Sequence, residues 1–183
     1  MEFDDFTTHL FEEAKCFCEK AKKSDDPFSK EAYLHACLLL GMSALEACVN
    51  SIIEEITVVP YKDNFSLLEQ SLLLEKDVRF KDGCFTLSNN LKISRLTDKI
   101  DFLLRKYNNS EVALREDWYM KLKQSIDLRN KLVHPKEKVV ITERNAENAM
   151  DAVLETMNNL YLAVYKKNIP VYSLELHTRH DLS

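Results

Sequence analysis

Apolar residues recur every three or four positions along almost the whole chain, the spacing of amphipathic helices. Phe3, Phe6, Leu10, Ala14, Phe17 and Ala21 form a first stripe, which Lys22, Lys23, Asp25, Asp26 and Pro27 interrupt. Leu38, Met42, Leu45, Val49, Ile52 and Ile56 form a second, in steps of four and three, expected to end at Pro60. Cys37, Gly41, Ala44, Cys48 and Ser51 add a row of small side chains to the same helix. Such a row lets another helix approach closely, which accounts for a glycine in a helix interior at a cost of about 1 kcal/mol against alanine. Ser66-Leu67-Leu68-Glu69 reads as a capping box opening a short third helix to about Lys76.

The period then changes. Val78 and Phe80 face Phe85 and Leu87 across Asp82-Gly83, which predicts a small hairpin near 78–88. A fourth helix carries Ile93, Leu96, Ile100, Leu103 and Tyr107 and closes at Asn108-Asn109. A fifth carries Leu114, Trp118, Leu122 and Ile126, with Arg129 next in the stripe. A sixth starts near Thr142, carries Ala146, Met150, Val153, Met157, Leu160 and Val164, and is stopped by Pro170. The expected fold is all-α: an up-and-down bundle of five or six helices with one β-hairpin insert. It forms a single domain over residues 1–170, followed by a polar tail at 171–183.

Composition sharpens this. The 183 residues include 2 Gly and 4 Pro, where ordinary usage would give roughly 20 of the two together. Sandwiches and barrels, which need frequent glycine turns, are excluded, and so are the glycine loops that cradle phosphates. Any phosphate recognition must therefore come from side chains on helices. The net charge of −5 argues against nucleic-acid binding through the whole surface. Residues 115–138 run the other way, with seven basic and four acidic side chains. The acidic N-terminus and the absence of an 18-residue apolar run suggest a cytoplasmic protein without a membrane segment. The five cysteines are expected to be reduced. Neither Cys16-x-Cys18 nor His177-x-x-His180 has the company a metal site needs, so no cofactor or metal is expected.

One segment carries chemistry. The fifth helix ends Asp127-Leu128-Arg129-Asn130-Lys131-Leu132-Val133-His134-Pro135. Arg129 and His134 are about 140° apart around a helix, whereas Asn130 and His134, four apart, share a face. Asn130 is thus expected to orient the imidazole. Pro135 should end the helix at His134, where the negative end of the helix dipole favours an imidazolium. A group able to exchange protons near neutrality, beside a fixed guanidinium matched to phosphate oxygens, suits RNA cleavage by the 2′-OH without a metal. By composition an Arg-Asn pair followed by His at this distance is expected roughly 0.01 times in the chain. The chain's other Arg-Asn pair, Arg144-Asn145, has Ala149 at the corresponding place.

Arg129-Asn130-Lys131-Leu132-Val133-His134 resembles the Arg-polar-x₃₋₅-His signature of the HEPN superfamily (higher eukaryotes and prokaryotes nucleotide-binding). Ala44-Leu45-Glu46-Ala47 with Asn50 is similar to the long second helix of those domains. The resemblance covers helix order along the whole chain, but only six residues as a motif. It implies a dimeric helical domain acting as a metal-independent endoribonuclease in toxin–antitoxin or anti-phage defence, with RNA as substrate and an antitoxin or defence protein as partner. Arg129, Asn130 and His134 would be catalytic across a homodimer. Lys131, Lys136 and Lys138 would bind RNA, and Glu46 and Asn50 would support the site. A non-catalytic dimer that binds a nucleotide or protein is the alternative. In HEPN toxins silenced by nucleotidylation a tyrosine stands two positions after the histidine. Here Pro135-Lys136 follow, a departure from that pattern.

Overall fold

Asp26 and Pro27, which end the first apolar stripe, start the second helix. The Asp26 carboxylate accepts the Ser29 amide at 2.9 Å and Pro27 occupies the first turn, where its missing N–H costs nothing. The computed structural model describes residues 2–58, 64–108 and 117–170, with side chains from Phe6 onward. The order is α1 (Glu2–Lys23), α2 (Pro27–Thr57), α3 (Leu67–Leu74), β1 (Lys76–Lys81), β2 (Cys84–Leu91), α4 (Leu96–Asn108), α5 (Asp117–Val133) and α6 (Glu143–Tyr165). It is a mostly helical bundle with one two-stranded antiparallel insert. Pro60, Asn109, Leu114 and the tail at 171–183 lie outside the described residues.

Helices α2 and α6 form the centre. Helix α2 packs on α1, α5 and α6, and α6 also meets α1, α4 and α5. Leu38, Leu45 and Ile52 of α2 and Met150, Val153 and Met157 of α6 are buried together with Phe11, Leu103 and Leu122. Each such side chain contributes about 1.5–3 kcal/mol relative to exposure. Helix α2 has the length and apolarity of a membrane span, but most of that stretch is buried against other helices of this chain.

The small-residue row does what its pattern implies. A Cβ placed on Gly41 would lie 2.8 Å from Met150 Sδ and 4.0 Å from the Ala14 Cβ, so α1, α2 and α6 meet there at close range. Gly41→Ala should destabilise the protein by about 1–3 kcal/mol through overpacking. In a Met150→Ala background the same change should stabilise by about 1 kcal/mol, because helix propensity then acts alone. Urea unfolding of the four proteins in this cycle measures both values.

The capping box at α3 is present: Glu69 N–H donates to Ser66 Oγ at 3.3 Å, and Ser66 N–H donates to the Glu69 carboxylate at 2.6 Å. Lys106 of α4 donates to the same carboxylate at 2.9 Å. That ammonium, with the Ser66 amide, holds the Glu69 carboxyl below its ordinary value of 4.5. A depressed folded value means stability present above the unfolded value and lost as pH falls through the folded one. Glu69→Gln keeps the capping box but loses the ion pair and the attraction to the helix N-terminus, and should cost about 0.5–1 kcal/mol at pH 7. Denaturation curves of mutant and wild type should converge as pH falls below 4.5.

The hairpin has the expected register, Val78 opposite Leu87 and Phe80 opposite Phe85, with Gly83 at φ 84° in the turn. It is longer than 78–88. Two helix boundaries differ from expectation. Ile93 is exposed in the loop before α4, because Ser94 N–H donates to the Glu75 carboxylate at 3.1 Å and ties that loop to the hairpin base. The first α4 bonds run to Arg95 O instead. At the other end, α6 stops at Tyr165, five residues before Pro170. Lys166 adopts left-handed backbone (φ 58°), its N–H reaches Leu162 O, and its ammonium caps Ala163 O at 2.8 Å.

Candidate active site

The inward residues Trp118, Tyr119, Leu122 and Ser125 fix α5 in the bundle, and Tyr119 OH donates to Asp101 of α4. With that face buried, Ile126, Arg129 and Asn130 are directed to a cleft of about 490 Å³ between α2, α5 and the loop leading into α4. Glu46 and Asn50 of α2 line the same cleft. Arg129 Nη2 makes an ion pair with Glu46, and its Nη1 donates to Asn130 Oδ1 at 3.2 Å. With the Arg129 side chain 25% and the Glu46 side chain 42% exposed, the pair adds about 0–1 kcal/mol to stability. Its effect is positional, since a guanidinium held at both ends of its fork is already oriented.

His134 opens elsewhere. Val133 is the last helical residue, and His134 N–H donates to Asn130 O at 2.9 Å before Pro135 turns the chain away. The exposed imidazole lines an adjoining groove of about 610 Å³ with Asn130, Lys131, Lys136, Glu137 and Val139. Asn130 alone among these borders both spaces. The offset between Arg129 and His134 thus becomes a division into two neighbouring grooves. The expected role of Asn130 changes accordingly: its side-chain oxygen accepts from Arg129, and among the described residues no side-chain bond joins it to His134. The Asn130 and His134 main chains are joined by the last helical bond.

Lys131 pairs along its own helix with Asp127 at 2.7 Å, and that bond holds its ammonium above the ordinary lysine value. Both side chains are exposed, so the pair is weak enough for a phosphate to compete. Lys136 stays beside His134, whereas Lys138 lines a separate groove with Pro27, Lys30 and Val140.

Three cleft residues escaped the sequence reading. Lys99 of α4 is buried, with its ammonium 3.3 Å from the Glu75 carboxylate and 3.5 Å from Asn50 Oδ1. Arg95 lines the cleft with no side-chain partner among the described residues. Glu75 caps α3 in left-handed backbone (φ 54°) and faces the cleft from the hairpin base. A signal for Lys99 was present: it follows Leu96 by three and precedes Leu103 by four, and so sits on the apolar face. Nothing local marks Glu75 or Arg95.

The cleft therefore carries three cations (Arg129, Lys99, Arg95), two carboxylates (Glu46, Glu75) and the amides of Asn50 and Asn130. Among the described residues no cluster of His, Cys, Asp and Glu is arranged to hold a metal ion. Comparison with protein-family models, with curated proteins and with solved structures gives no match.

Proposed function

We propose that this chain is a metal-independent endoribonuclease of the HEPN type, acting as a cytoplasmic homodimer in a toxin or anti-phage defence system. The observation that carries the reading is the pre-oriented Arg129, fixed by Glu46 and Asn130 in a cleft with Lys99 and Arg95, next to the groove that holds an exposed His134 five residues further on.

In this reading His134 takes the proton from the 2′-OH. The 2′-oxygen forms a bond to the adjacent phosphorus and the P–O5′ bond breaks. A protonated imidazole from a second copy delivers a proton to the leaving 5′-oxygen. Arg129 stabilises the charge that develops on the non-bridging oxygens. The products are a 2′,3′-cyclic phosphate and a 5′-hydroxyl. One histidine cannot be both base and acid in a single step, and Arg129 and His134 open to different grooves. A two-fold dimer bringing two α5 ends together supplies both groups to one substrate.

Incubation with RNA in EDTA, followed by end-group analysis of the fragments, tests the reaction. Cleavage giving cyclic phosphate, lost in Arg129→Ala and accompanied by a dimer in light scattering, supports it. No cleavage by a folded dimer refutes it. The regulatory alternative draws on one feature, the neutralisation of Arg129 by Glu46. It requires nucleotide or partner binding with no cleavage.

A further inference from the structure

The hairpin packs on α3 through its base, where Val78 and Leu87 are half-buried. Its distal half projects away from the helices. There Phe80 and Phe85, paired across the strands, are 65% and 67% exposed. Their rings meet edge-to-face with centroids 5.2 Å apart. This pair lies outside the core; its edge-to-face contact steadies the hairpin, and about two thirds of each ring's surface is left free for a ligand. The opposite face bears Arg79 and Lys81, paired with Thr86 and Cys84. A groove of about 540 Å³ runs between residues 79–81 and 86–90.

Charge selects the occupant. Residues 76–95 contain five basic and two acidic side chains, in a chain of net charge −5. The arm is thus cationic on an otherwise acidic protein, which suits a polyanion and disfavours a second copy of this surface. Exposed aromatic rings bind unpaired bases and cations bind their backbone; a strand that wraps the two-stranded ribbon meets the rings on one face and Arg79 and Lys81 on the other. Strand β2 also leads directly to the cleft: it ends at Leu91, and Ile93 to Thr97 line the space around Arg129. Its eight residues span roughly 27 Å at strand rise.

We infer that the hairpin is a binding arm for single-stranded RNA, in which Phe80 and Phe85 stack on unpaired bases, Arg79 and Lys81 contact phosphates, and β2 directs the strand to the Arg129 cleft. It rests on the reading of that cleft as an RNA site and names the substrate class as unpaired RNA long enough to bridge tip and cleft.

The test is fluorescence anisotropy of the full chain with a fluorescein-labelled 2′-O-methyl U₁₂ oligonucleotide, which cannot be cut by 2′-OH attack. Phe80→Ala/Phe85→Ala should weaken binding roughly tenfold to a hundredfold. Arg79→Ala/Lys81→Ala should lower the slope of log affinity against log salt by about 1.4. All four side chains are exposed, so circular dichroism should be unchanged, and Phe80→Trp/Phe85→Trp should restore affinity. A labelled U₃ should bind all variants alike. Unchanged U₁₂ affinity in both double variants overturns the inference. So does a change in oligomeric state or in capture of a partner protein with U₁₂ affinity intact. If U₁₂ binds through the hairpin but natural RNA is never cut, the nuclease reading fails and the arm stands. If RNA is cut and the hairpin variants bind normally, the arm fails and the nuclease reading stands.

Discussion

Replacing His134 by alanine is expected to reduce RNA cleavage in EDTA by roughly two to four orders of magnitude, the range for loss of a general acid–base group. Thermal stability should stay within about 0.5 kcal/mol, because the side chain is exposed. Its backbone N–H, which closes the last turn of α5 on Asn130 O, is retained. Alanine keeps the helix end, so lost activity reports the imidazole alone. A dimeric site adds a sharper expectation. Mixing His134→Ala with wild-type protein should lower activity in exchanged dimers to near that of the mutant, since each mixed cleft then holds one imidazole where the step needs a base and an acid. Continuous gel or fluorogenic assays before and after subunit exchange measure this. Cleavage that persists in the His134→Ala protein removes His134 from the reaction.

The largest effect on stability should come from Glu75. Its carboxylate faces the buried Lys99 ammonium and receives Ser94 N–H, while its carbonyl accepts Lys92 N–H at 2.8 Å. Glu75→Ala leaves a buried charge with only the long contact to Asn50. Removing one partner of a buried pair costs about 3–5 kcal/mol, and with Glu75 partly exposed about 2–3 kcal/mol is expected. Both residues adopt the same left-handed backbone without being glycine, so the difference reports the side chain. Lys99→Met removes the charge itself and should fall within about 1 kcal/mol of wild type. Adding Lys99→Met to Glu75→Ala should recover most of the loss. Urea unfolding gives the energies, and hydrogen exchange at Ser94 reports whether the hairpin base loosens first. A Glu75→Ala protein as stable as wild type would show that Lys99 finds other partners.

What could be read from the sequence was local. Asp26-Pro27, Ser66 with Glu69, Thr142 and Asp82-Gly83 each act within four residues, and each marks a boundary in the fold. The close helix contact at Gly41 was legible because a small side chain is informative wherever it lies in a stripe. The separation of Arg129 from His134 was legible because helical rotation is fixed. The shape of the cleft was not legible. Glu75 lies 54 positions from Arg129 along the chain and reaches the cleft only because α3 ends in a left-handed residue and the hairpin folds back. Ile93 has the spacing of a helical residue, but the bond from Ser94 to Glu75 outweighs that pattern. Asn130 was expected to bond His134 at helical spacing, but its side chain accepts from Arg129 beside it. The choice depended on where Glu46 drew the guanidinium, which only the packing of α2 on α5 determines.

The hairpin leaves the bundle at Glu75 and returns at Lys92 and Ser94, both bonded to that same residue. Its two ends are therefore pinned at one point, and what lies between them adds no length to the path from α3 to α4. Beyond Val78 and Leu87, which pack toward α3, an arm attached in this way can be shortened, lengthened or exchanged for another sequence without shifting a helix. If the hairpin is the proposed binding arm and α5 bears the proposed chemistry, substrate choice and reaction are free to diversify separately.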